Sequence, residues 1–88
     1  MSGTPRLRLF VTADSPGSLA ARRNLETIME AIGIGMGEVE IVDVLKNPAA
    51  ALEADVIVTP ALEIVRNDRR LLIAGRLDDM DAVRARLE

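Results

Sequence analysis

Eighty-eight residues are enough for one compact domain, expected to span 1–88, and too few for two. Hydrophobic residues make up 49% of the chain but Phe10 is its only aromatic, so the core has to be aliphatic. The formal charge of −3 and the lack of interleaved aromatic and basic residues argue against a nucleic-acid surface, while the absence of Cys and His removes thiol chemistry, disulfides, the usual transition-metal ligands and the commonest general base.

In chain order, Leu7 to Ala13 reads as the first strand. Leu7, Leu9, Val11 and Ala13 share one face, and Phe10 makes the other partly apolar, which suits an inner strand covered on both sides. Ser15 is a helix N-cap and Pro16 fits the first helical position. Ala21, Leu25, Ile28 and Ile32 then form one helical stripe, with Arg22, Arg23, Glu26 and Glu30 off it, and Gly33 closes the helix. Ile34 to Gly37 is a glycine-rich connection to a second strand over Glu38–Val44, parallel to the first because a crossover-length helix separates them.

Lys46-Asn47-Pro48 is a turn, and Pro48 starts a short helix through Leu52. Val56-Ile57-Val58 precedes Thr59-Pro60, and Leu62–Val65 is strand three. Asn67-Asp68 is a turn pair, Leu71–Ala74 is strand four, antiparallel to three, and Gly75 breaks it. Asp78 caps a last helix whose inner stripe is Met80, Val83 and Leu87. Met1 to Pro5 and Glu88 are the expected loose ends. No apolar run reaches membrane-span length and no signal-peptide core is visible, so the default is a cytoplasmic protein.

The order β-α-β-α-β-β-α, a βαβ half followed by a ββα half, is the thioredoxin topology, an α/β fold with a mixed four-stranded sheet. X-Pro bonds are cis in only about 5–6% of cases. In this fold a cis proline precedes strand three, so Pro60 is the cis candidate. Redox members of the fold carry Cys-x-x-Cys where this chain has Ser15-Pro16-Gly17-Ser18.

The segments Leu7–Ser18, Ile41-Val42-Asp43-Val44-Leu45-Lys46-Asn47-Pro48, Thr59–Leu62 and Ile73–Leu77 together resemble the KaiB family, partners of the KaiC clock ATPase, over nearly the whole chain. The resemblance implies a thiol-free, thioredoxin-type frame used as a protein-binding surface, with a KaiC-type ATPase as partner. The same domain also serves as the sensory module of a KaiC-binding histidine kinase, which keeps a sensor or scaffold role open. It further implies an alternative ground state, tetrameric, with a rearranged C-terminal half, beside a KaiC-binding state that is the thioredoxin-like monomer. Three features depart from the clock pattern. Arg66-Asn67-Asp68-Arg69 replaces a proline-rich segment, Arg76 stands where an acid is usual, and the acidic C-terminal tail is missing. Asn and Asp suit a tight turn, so the first change favours the thioredoxin-like state.

The candidate chemistry is thin. Ser15 and Ser18 lack the adjacent base that a nucleophile needs, so Ser15 is read as a cap and Ser18 as an ordinary first-turn residue. Asp14, Asp43 and Asp55 have no metal-ligand spacing, and Gly33-Ile34-Gly35-Met36-Gly37 follows a helix rather than preceding one; neither a metal site nor a cofactor site is expected. Binding remains. Lys46 and Asn47, in the block most like the family, and Arg23, on the exposed side of the first helix, are the candidate contacts. Arg76 is a candidate for altered partner choice.

Overall fold

The computed structural model describes residues 5–88; of the expected N-terminal loose end, Met1 to Thr4 lie outside that range and Pro5 is buried. The elements are β1 (Arg6–Val11), α1 (Pro16–Ile32), a 3-10 turn (Met36–Glu38), β2 (Val39–Asp43), α2 (Pro48–Glu53), β3 (Ala61–Arg66), β4 (Arg69–Ala74) and α3 (Met80–Leu87). The sheet order is β2-β1-β3-β4. β1 pairs in parallel with β2, as a helical crossover requires, and antiparallel with β3, which pairs antiparallel with β4.

The period of two in β1 divides the molecule into two layers. Leu7, Leu9 and Val11 face α1 and α3 and join Leu25, Met29, Leu62, Val83 and Leu87 in the main core. Phe10 points the other way, into a smaller cluster with Val42 and Ala54 beneath α2. An inner strand with both faces covered is what the sequence pattern implies. Ala13 does not extend it: that residue is exposed, at φ 45°, in the turn toward α1. Strand two is likewise shorter than expected, because Glu38 belongs to the 3-10 turn and Val44 lies beyond Asp43.

Caps fix the helix ends. Ser15 Oγ accepts from Ser18 N at 3.3 Å, and Gly33, at φ 78°, donates to Glu30 O while Ile34 N reaches Met29 O at 3.0 Å. The α3 cap is Asp79 rather than Asp78: Asp79 Oδ1 accepts from Ala82 N at 3.2 Å, whereas Asp78 Oδ1 accepts from Asn24 Nδ2 of α1. Met80 is thus the first helical residue. Val83 and Leu87 stay buried, but Met80 is exposed instead of joining the inner stripe. Asn67 (φ 50°) and Asp68 (φ 66°) both occupy the left-handed region, the turn type that matches strand twist in a two-residue hairpin.

Glu63 departs from the apolar run of β3. It is 1% exposed, yet it lies on the sheet face that α2 only partly covers. Arg8 Nε from β1 and Arg70 Nε from β4 each donate to its carboxylate at 2.6 Å, and Arg8 also lies over the Phe10 ring, 5.2 Å from the centroid. Burial pushes the Glu63 carboxyl up, but the two arginine hydrogen bonds and charges outweigh it and hold the group below the ordinary carboxylate range.

Candidate protein-docking site

The C-terminal ends of β1 and β2, the start of α1 and the Thr59-Pro60 step converge at one end of the sheet. The Thr59-Pro60 bond is cis, as the topology implies. Ser15 and Ser18 stand where redox relatives would carry thiols, and their partners define what they do. Ser15 Oγ donates to Ser18 Oγ at 2.9 Å, and Ser18 Oγ also accepts from Thr12 N at 3.0 Å. Ser18 is buried. It is therefore not an ordinary first-turn residue: it latches the end of β1 to the first turn of α1. Nearby, the hydroxyls of Thr12 and Thr59 bond each other and tie the cis-proline loop to the same strand end.

Asp43 shapes the next segment. Its Oδ1 accepts from Leu45 N at 2.9 Å and from Ala13 N at 3.4 Å, and its carbonyl accepts from Lys46 N and Asn47 N. Asn47 caps α2, with Oδ1 accepting from Ala50 N at 3.3 Å. Lys46 is thrown out to solvent between these two anchors. The Asp43 carboxylate is thus committed to backbone donors, and no group of three or more metal-ligating side chains comes together among the described residues.

Sequence reasoning did not single out the apolar surface around α2. Ile57 is 93% exposed, Leu52 78%, Leu45 68% and Val58 57%. Val44, Pro48, Ala51, Leu52, Val56 and Ile57 line a shallow groove, closed at its base by Thr12 and Thr59. One exposed aliphatic residue is ordinary, but four within a short segment around a groove form a patch of the kind that marks protein contact. The signal was present in the sequence as Leu45, Leu52 and Val56-Ile57-Val58, which a six-residue helix is too small to bury together.

The candidate contacts fall into three places. Lys46 and Asn47 border the apolar patch at the β2 edge. Arg76 is on the β4 side of the same end, roughly 14 Å across three strand spacings. A Cβ on Gly17 would lie 3.9 Å from Arg76 Nε and 3.4 Å from Pro60 Cδ, so the Arg76 side chain rests against the first turn of α1 beside the cis proline. Its carbonyl accepts from Asn24 Nδ2 at 2.9 Å. Arg23 sits apart, about two turns along α1 on the outward face with Leu19 and Glu26.

Comparison with known proteins agrees with this frame. Residues 8–88 match the family model described as the KaiB domain. The circadian clock oscillator proteins KaiB of Gloeothece citriformis and Acaryochloris marina are each 36% identical over 77 residues, covering 88% of this chain and 73% and 74% of theirs. Among solved structures, the N-terminal domain of Synechococcus elongatus SasA superposes with a TM-score of 0.76 at 23% identity, over 99% of this chain and 82% of that one. Mitochondrial thioredoxin 3 of Saccharomyces cerevisiae gives 0.71 at 17%, over 97% and 77%. The two superpositions show a thioredoxin-like fold. With the family model reaching from β1 to the end of α3 and curated clock proteins similar over most of the same span, this chain belongs to the KaiB family.

Proposed function

We propose that this chain is a non-catalytic adaptor of a clock-related or stress-signalling system in the cytoplasm, docking on a KaiC-type ATPase through the end of the sheet that carries α2. The observation that carries this reading is the juxtaposition of Leu45, Leu52, Ile57 and Val58, all exposed, with Lys46 at their border. Such a surface gives an apolar centre with a charged rim, the usual anatomy of a protein interface. Burying one of these side chains contributes about 1.5–3 kcal/mol, so the patch offsets part of the roughly 4–15 kcal/mol that association costs, and polar contacts at its rim supply the rest. Lys46 supplies orientation and partner choice, and Arg76 and Arg23 extend the contact if the partner wraps toward α1.

The test is co-elution with a nucleotide-loaded KaiC-type ATPase from the same source. Lys46→Glu is expected to weaken the complex about tenfold or more through like-charge juxtaposition. Ile57→Asp is expected to do the same by placing a carboxylate in an apolar contact. Unchanged affinity for both variants removes this surface from the interface. Failure of the wild-type chain to bind the ATPase, with capture of a histidine kinase instead, transfers the same surface to a sensor or scaffold role.

A further inference from the structure

We propose that the cleft between the β3–β4 hairpin and the last turn of α3 binds the phosphate chain of a small polyphosphate, and that it reads the phosphates without reading a base. This site is separate from the α2 end. Arg66 and Arg69 stand directly opposite each other at the base of the hairpin turn, so their side chains share one sheet face. Ile64, two residues before Arg66, belongs to the main core, and its partner Leu71 follows Arg69 by two; the strand period puts both arginines on the α3 side. Arg66 Nη2, donating to Leu87 O at 2.7 Å, agrees with that direction. Arg86 joins from α3, three residues past the buried Val83 and so toward the flank that meets the sheet. Guanidinium groups from β3, β4 and α3 therefore line one cleft with Ile64 and Leu71.

Stability alone does not ask for this arrangement. Like charges directly opposite on a sheet are destabilising, and no carboxylate lines the cleft. Among the described residues, Arg66, Arg69 and Arg86 take part in no ion pair. The neighbouring carboxylates are engaged elsewhere. Glu63 lies on the other sheet face between Arg8 and Arg70, and Glu88 pairs with Arg84. Arg86 also borders the groove that Asp78 and Asp79 line, but Asp79 caps α3 two turns away, about 10 Å along the helix, and Asp78 accepts from Asn24.

What fits is decided by the donors. Guanidinium forks match phosphate oxygens, and hydrogen bonds between such ions are stronger than neutral ones. Several cations without a counter-charge around one opening call for a compact, multiply charged anion, which a phosphate chain is and a single carboxylate is not. The arginines come from separate elements around one floor rather than in a row along a strand or helix, so a short phosphate chain fits better than an extended acidic segment. The cleft, of about 740 Å³, has the size of a small-molecule site. Phe10, the chain's only aromatic, lies on the opposite sheet face beneath α2, so no ring is at hand to stack on a base.

Calorimetric titration of the full chain with inorganic tripolyphosphate, at low salt and without divalent cations, tests this. Saturable one-to-one binding is expected, weakening as salt rises. Arg69→Gln and Arg86→Gln are each expected to weaken it about tenfold, as loss of one hydrogen bond between charged groups does, and the two together about a hundredfold. Both side chains are exposed, so the melting temperature should stay that of the wild type. Arg22→Gln, the same loss of charge on the outward face of α1, is expected to leave the affinity unchanged. ATP and GTP are expected to bind as tightly as tripolyphosphate, with amide NMR shifts centred on residues 64–71 and 84–87. A dissociation constant above about 1 mM for tripolyphosphate overturns the proposal. So does equal weakening by Arg22→Gln, which is general charge attraction, or a tenfold preference between ATP and GTP, which is base recognition. Tighter binding of an oligoglutamate peptide than of tripolyphosphate also overturns it and assigns the cleft to an acidic protein segment.

Discussion

Replacing Glu63 by Gln tests the electrostatic centre of the sheet. The carboxylate side chain is 2% exposed and accepts two hydrogen bonds of 2.6 Å, from Arg8 (14% exposed) and Arg70 (37% exposed). A glutamine keeps the volume, but its one carbonyl oxygen satisfies one arginine and its amide presents N–H groups to the other. Breaking a buried ion pair by removing one partner costs about 3–5 kcal/mol. The lower end applies here, because Arg70 can swing into water and Arg8 keeps its place over Phe10. A loss of about 3 kcal/mol is a large share of the roughly 4–13 kcal/mol expected for a chain of this length. At roughly 2.1 cal/mol/K per residue the entropy of unfolding converts each kcal/mol into about 5 °C, so Tm should fall by about 15 °C. Far-UV circular dichroism melts, with urea midpoints as a check, read the effect. Arg70→Gln, which leaves the Arg8 bond intact, should cost only about 1 kcal/mol. A Glu63→Gln shift below about 3 °C would refute the buried triad as a source of stability.

The same group sets a pH dependence. Its folded-state pKa is depressed, so its contribution is fully present above the unfolded value of about 4.3 and is lost as pH falls through the folded one. The stability gap between wild type and Glu63→Gln should therefore narrow in urea titrations below about pH 4; a gap that widens there contradicts the sign. Ser18→Ala leaves Thr12 N without its partner and removes the Ser15 contact, and should cost about 1–3 kcal/mol by thermal melt with the fold unchanged by NMR.

Much of this architecture is written locally. Ser15-Pro16 and Gly33 bound α1, Asn67-Asp68 sets the hairpin, and the alternation in β1 announces two covered faces. Those signals depend on neighbours in sequence, and the structure follows them. The structure departs from the local signals where distant residues decide. The sequence points to Asp78 as the α3 cap, but Asn24, far away on α1, donates to that carboxylate and Asp79 caps α3 instead. Glu63 looks like an interruption of a strand until Arg8 and Arg70 arrive from the two neighbouring strands. Ser18 gains its role only because the Thr12 N–H turns back toward the helix. The apolar patch was visible as residues but not as a surface, since its exposure depends on how little of it α2 covers.

Hydrogen–deuterium exchange on the chain, alone and bound to a nucleotide-loaded KaiC-type ATPase, tests the docking reading most directly. Slowed exchange is predicted across residues 44–59, where Leu45, Lys46, Leu52, Ile57 and Val58 lie, with the Arg69–Ala74 strand unchanged by the ATPase. A stable complex in which 44–59 exchanges as in the free chain, or protection confined to the Arg23 face of α1, would contradict it.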